Sequence, residues 1–94
     1  MAVKFYYVYI LFSLKDRKLY IGYTENLAAR LNEHCHGKVR ATKTRLPLIL
    51  IHYEAFTDKK DAKSREKFLK SGFGRSQLKK ALQHKLRSLK YGFL

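Results

Sequence analysis

The stretch from Lys4 to Tyr23, KFYYVYILFSLKDRKLYIGY, sets the architecture of the whole chain. Its first nine residues, Lys4 to Phe12, alternate between two faces that are both apolar. Phe5, Tyr7, Tyr9 and Leu11 lie on one, Tyr6, Val8, Ile10 and Phe12 on the other. A strand apolar on both sides must be covered on both sides, which predicts a central strand. Ser13 to Lys18 is rich in charge and reads as a turn, and Leu19 to Tyr23 returns as the second arm of a hairpin closed by Gly22. Tyr9 and Tyr20 sit on opposite arms, spaced so that both hydroxyls reach one region.

Beyond the hairpin, Thr24 is placed to cap a helix whose Leu27, Leu31 and Cys35 form an i, i+4, i+8 stripe ending at Gly37, with Cys35 as a core thiol and Arg30 and His34 together on a neighbouring face. Gly37 to Leu46 reads as an exposed basic loop, and phosphate contact is the natural use of its Lys38, Arg40, Lys43 and Arg45. Pro47 to Phe56 is a second strand apolar on both faces, with the proline at its start. Thr57 or Asp58 starts the next helix, which runs to Ser71 and Gly72. Gly72-Phe73-Gly74 reads as a break, after which Ser76 caps a last helix with Leu78, Leu82, Leu86 and Leu89 in register. The order β-β-α-β-α-α predicts an α+β domain, a small three-stranded and mainly antiparallel sheet flanked by helices, with residues 1–94 forming one domain.

In the helix after the third strand, Ala62, Glu66, Leu69 and Phe73 form an apolar stripe interrupted by one acid. A buried carboxylate without a partner costs several kcal/mol or more, so Glu66 calls for a cation, a metal ion or a shifted pKa. Arg30 supplies one candidate cation. Lys63 and Lys70, on Glu66's own helix, offer a purely structural surface pair worth about 0 to 1 kcal/mol.

Twenty-one Lys and Arg stand against seven acids, a formal charge of +14 on 94 residues. So much positive charge on so small a surface selects polyanions, and nucleic acid is the expected partner through release of counterions from phosphate. A membrane surface is disfavoured, because no basic amphipathic helix carries a Trp-rich apolar face. The N-terminus lacks the apolar core of a signal peptide and no run approaches a membrane span, so a cytoplasmic protein is expected. A lone cysteine, Cys35, forms no internal disulfide. His34-Cys35-His36 is a poor zinc set, since consecutive helical residues diverge by about 100°. The remaining tyrosines, Tyr6, Tyr23, Tyr53 and Tyr91, read as structural or as base-stacking surfaces.

Taken together, Tyr7-Val8-Tyr9, Tyr20-Ile21-Gly22, Arg30, His34 and Glu66 resemble the GIY-YIG nuclease family. The resemblance spans Tyr7 to about Leu82 and is strongest to small stand-alone members, similar to the N-terminal domain of the excision-repair nuclease. It implies divalent-metal-dependent hydrolysis of phosphodiester bonds in DNA, with RNA also open, directed by structure or backbone more than by base sequence. By this likeness Glu66 ligates a single Mg²⁺ or Mn²⁺, and Arg30 holds the phosphate and the charge of the transition state. Tyr20 is the general base and Tyr9 its partner, or the reverse. His34 orients phosphate or water, and Gly22 lets backbone approach the substrate. A place in a larger repair or recombination complex is implied as well.

Two departures stand out. Tyr7 replaces the glycine that opens the family's first triplet. The late asparagine of many members is missing, leaving Gln77 or Gln83 to deputise. A weak or inactive nucleic-acid-binding module of the same fold is therefore the second reading, and a basic accessory protein of the ribosome or of RNA the third.

Overall fold

Strand β1, Tyr6–Ser13, is buried from Val8 onward and lies at the centre of a three-stranded sheet of order β2-β1-β3. The structure is a computed structural model and describes residues 2–90, so Tyr91 lies outside the described residues. Both neighbours, β2 (Leu19–Thr24) and β3 (Leu48–Phe56), run antiparallel to β1. The register sets Tyr9 opposite Gly22 on one side and Tyr53 on the other, with a bulge between Ile10 and Leu11. Strand alternation then sorts the hairpin into two layers.

One layer is the main core. Val8, Ile10, Phe12, Leu19 and Ile21 pack with Ala62 and Leu69 of α2 (Lys59–Lys70), Leu78 of α3 (Gly72–Ala81) and Leu86 of α4 (Gln83–Ser88). On the opposite face, Tyr9, Leu11 and Leu48 form a smaller cluster, closed by Tyr20, Leu46 and the Leu27 and Leu31 of α1 (Leu27–Cys35). The helices therefore flank the sheet on both sides. Arg65 of α2 donates to the Glu54 carboxylate of β3, which His52 also contacts, fastening the larger layer to the sheet.

Several local expectations change. The cap of α1 is Asn26, whose side chain accepts from the Ala29 N–H at 3.0 Å, while Thr24 ends β2 and accepts from the Asn26 N–H. Gly37 does take the left-handed conformation, φ +70°, just past the helix. Cys35 is exposed. At 100° per residue an i+8 position lies about 80° round from Leu27, whereas i+7 lies only about 20° away, so His34 turns inward instead. Pro47 precedes β3, which begins at Leu48.

The largest correction concerns Gly72-Phe73-Gly74. These residues form the first turn of α3, capped by Ser71, whose Oγ accepts from the Gly74 N–H at 3.1 Å. Gly74 permits the two helix backbones to meet, and the chain turns at Ser71, the shared cap. Phe73 is 68% exposed, so the inward stripe of α2 ends at Leu69. The predicted last helix divides at Leu82 into α3 and α4, yet Leu78 and Leu86 remain buried and Leu82 and Leu89 pack against them.

Candidate active site

Tyr9 is 1% exposed, and its hydroxyl lies 2.8 Å from Nε2 of His34. His34, equally buried, places Nδ1 2.7 Å from the hydroxyl of Thr42, also buried. Burial, reinforced by the nearby Arg30 cation, holds the His34 pKa down to about 4, so the imidazole is neutral at pH 7 and carries one N–H. Burial pushes the Tyr9 phenol above its ordinary value, although Arg30 opposes the shift. A protonated Tyr9 donates to Nε2, and Nδ1–H then donates to Thr42. The chain Tyr9-His34-Thr42 thus ties β1 to α1 and to the loop that follows it.

Tyr20 joins this cluster from β2. Its half-buried ring lies 5.3 Å from the His34 ring and 6.3 Å from that of Tyr9, all tilted or edge-on. Its hydroxyl makes no hydrogen bond among the described residues. Gly22 makes the arrangement possible: a Cβ there would come within 2.9 Å of Tyr9 Cε1 and closer still to the phenol oxygen. The glycine accommodates Tyr9's ring, a tighter constraint than the open approach to substrate expected from sequence. Arg30, on α1, acts on the Tyr9 hydroxyl and pairs with Glu33 at 2.9 Å.

Glu66 belongs to the other layer. Its helix packs on the Val8 face of the sheet, and its carboxylate pairs with Lys70 at 3.0 Å, not with Arg30. The side chain is 17% exposed, so the acid sits at the margin of the core. Burial raises both the Tyr9 and Tyr23 phenols, with Glu25 also raising Tyr23 and the Glu66 charge a minor contributor to each, while Lys63 one turn earlier lies over the Tyr23 ring. Tyr23 belongs to the edge strand.

In the basic loop, Lys38, Arg40 and Lys43 are exposed and Val39 and Thr42 are anchored beneath them. Arg45 differs from its neighbours. It binds Asp16 of the hairpin turn and the Lys18 carbonyl, which makes it a brace between loop and turn. Gln77 is exposed, and Gln83 lines a cleft between α3 and α4 away from the tyrosines. Thr42 was missed by sequence reasoning. Its one signal is the threonine set among the loop's cations, where the hydroxyl is available to a neighbouring helix.

No group of three or more His, Cys, Asp or Glu side chains converges among the described residues. A single marginal carboxylate suits a hard, hydrated divalent ion that completes its shell with water and substrate oxygens, and does not suit a protein-only cage. No helix among the described residues is long and apolar enough to cross a membrane.

The buried neutral histidine has a measurable consequence. An unfolded chain protonates His34 near pH 6.5, the folded chain only near 4, so stability is complete above about 6.5 and falls between those values by on the order of 3 kcal/mol. Urea unfolding across pH 4 to 7 should show this loss in the parent protein, and His34→Gln should remove that component of the slope. Equal pH dependence in the two proteins would deny that folding excludes a proton from this ring.

The sequence profile of the GIY-YIG catalytic domain matches residues 5–80. UPF0213 protein SH2523 of Staphylococcus haemolyticus is 42% identical over 81 residues, covering 85% of this chain and 96% of that protein. UPF0213 protein CPE1444 of Clostridium perfringens is 43% identical over 65 residues, 68% of this chain and 69% of its own. The solution structure of UPF0213 protein BH0048 from Bacillus halodurans shares 35% identity with a TM-score of 0.51, over 94% of this chain and 87% of that one.

Proposed function

Because the chain belongs to the GIY-YIG catalytic-domain family, a family of nucleases, we propose that it is a divalent-metal-dependent DNA endonuclease. The observation that supports this reading is the meeting of Tyr9, Tyr20, Arg30 and His34 on one face of the hairpin.

The two tyrosines divide the work by environment. Tyr9, buried, protonated and bonded to His34, is a positioning residue that fixes the site's floor. Tyr20, whose hydroxyl is uncommitted, is the base: it loses its own proton to solvent, and its phenolate takes one from the attacking water as that water's oxygen bonds to phosphorus. A phenol of ordinary pKa near 10 does this only beside positive charge. Arg30, a permanent cation with a forked donor set, supplies that charge, holds the scissile phosphate and meets the charge that builds on it in the transition state. Glu66 would hold a Mg²⁺ or Mn²⁺ ion, which when bound supplies Lewis-acid stabilisation of the phosphate and leaving oxygen. Lys38, Arg40 and Lys43 would contact backbone phosphates at the same face.

Purified protein should nick plasmid DNA with Mg²⁺ or Mn²⁺ and stop when the ion is chelated. Tyr20→Phe should lower the single-turnover rate by about 10²- to 10⁴-fold, the range of a lost general base. Unchanged cleavage by Tyr20→Phe would remove that residue from the chemistry. The second reading, a binding module without useful activity, is favoured by the distance of Gln83 from the tyrosines and by the Lys70 partner of Glu66. It predicts salt-sensitive binding indifferent to the metal, with no nicking.

A further inference from the structure

The cleft between α3 and α4, about 310 Å³, is lined by Ser76, Lys79, Lys80, Gln83 and Arg87. Among the described residues, three cations and two neutral hydrogen-bonding groups face it, and no acid. The cleft at the start of α1, about 430 Å³, has the opposite character, with Glu25 as its one charged group among the described residues. High net charge therefore does not fill every concavity with cations. The fold concentrates them here: Leu78 and Leu86 are buried as anchors, and the bend at Leu82 turns the residues after each anchor toward one hollow. Lys80 and Arg87 are exposed, and neither is paired with an acid among the described residues.

We propose that this cleft is a second phosphate-contact site, gripping the nucleic-acid backbone at a distance from the phosphate attacked at the tyrosines. The proposal rests on the reading that nucleic acid is the substrate. α3 and α4 pack on the Val8 face of the sheet, whereas Tyr9 and Tyr20 occupy the other. Packed layers are spaced about 10 Å apart, so about 20 Å separates the two sites. That distance runs through the protein, so at about 3.4 Å per base pair a ligand that passes round the sheet to touch both must extend well beyond about six base pairs. A short ligand seated at the tyrosines does not reach the cleft.

The test measures equilibrium binding by fluorescence anisotropy, in the full chain carrying Glu66→Gln to prevent cleavage. Lys80→Glu with Arg87→Glu is compared with Lys60→Glu and Lys67→Glu, an equal change of net charge on α2. On a duplex of about 20 base pairs the cleft variant should bind at least about 10-fold more weakly than the control variant at about 0.1 M salt. Its log–log salt slope should be shallower by about 2, the loss of two phosphate contacts at roughly 0.9 each. On a strand of about four nucleotides the two variants should bind alike. Equal losses on the long duplex would mean that net charge alone acts, and would overturn the cleft. Loss of binding to anionic phospholipid vesicles without loss on DNA would also overturn it, assigning the surface to membrane. Failure of the parent protein to bind any nucleic acid would instead sink the functional reading itself.

Discussion

Glu66→Gln is expected to abolish metal-dependent cleavage, lowering the single-turnover rate by about 10³-fold or more, with DNA binding and melting temperature nearly unchanged. The acid does little for the fold. Its one ion-pair partner among the described residues is Lys70, four residues on and half exposed. A pair of that type contributes only about 0.3 to 0.5 kcal/mol, so losing it leaves the helix intact. Glutamine keeps the shape and one oxygen but not the negative charge, and a divalent ion held by one protein carboxylate is released when that charge goes. Lys70→Ala removes the same ion pair from the other side and should leave cleavage in place. Should Lys70→Ala be as inactive as Glu66→Gln, the pair is structural and the carboxylate is not a metal ligand.

The largest stability effect is expected at Gly74. In the interior of a helix glycine is normally worse than alanine by roughly 0.5 to 1 kcal/mol, so Gly→Ala should stabilise. Here the sign reverses. A Cβ on Gly74 would stand 2.6 Å from the carbonyl carbon of Phe68 and 2.9 Å from the Cα of Leu69, atoms of the preceding helix's backbone that cannot rotate aside. The two helices must separate, opening the core around Leu69 and Leu78. We expect Gly74→Ala to cost about 3 kcal/mol and to lower the melting temperature by roughly 12 to 24 °C for a protein of this size. Gly72, two residues earlier in the same turn, has nothing within 4 Å of its Cβ position. Gly72→Ala should be neutral or slightly stabilising, which separates the clash from any general effect of changing this turn. Similar melting temperatures for the two variants would mean that the close approach of α2 and α3 is wrong.

Much of the fold was legible because the hairpin and β3 carry patterns of period two over long runs, and only a central strand is apolar on both faces. The leucine register from Leu78 to Leu89 survived even the division of its helix. What failed was local and depended on helix rotation or backbone approach. Cys35 against His34 turns on the difference between eight and seven residues in a period of 3.6. Phe73 fell outside the stripe because the chain turns at Ser71. Gly72 and Gly74, read as helix-breaking, open α3 instead, and Gly74 alone marks where backbones touch, a tertiary fact with no local signature.

The candidate site was legible as residue types and less so as partners. Tyr9, Tyr20 and His34 meet as their spacing and resemblance led one to expect. The cation offered for Glu66 was Arg30, but the two lie on helices on opposite faces of the sheet, and each has found a charge on its own helix: Glu33 for Arg30, Lys70 for Glu66. Such i+3 and i+4 partners are always within reach, so they satisfy charges that a longer-range pattern would pair across the molecule. For the nuclease reading, both side chains must exchange these local partners for one phosphate and its ion at the Gly22 edge.

That exchange is best observed through the anomalous scattering of Mn²⁺ in crystals grown with a non-cleavable phosphorothioate oligonucleotide. An ion is expected within about 2.0 to 2.6 Å of a Glu66 carboxylate oxygen, on the same phosphate that Arg30 contacts. A carboxylate still paired with Lys70, with phosphate and ion bound elsewhere, would show that Glu66 and Arg30 do not serve one metal-assisted site.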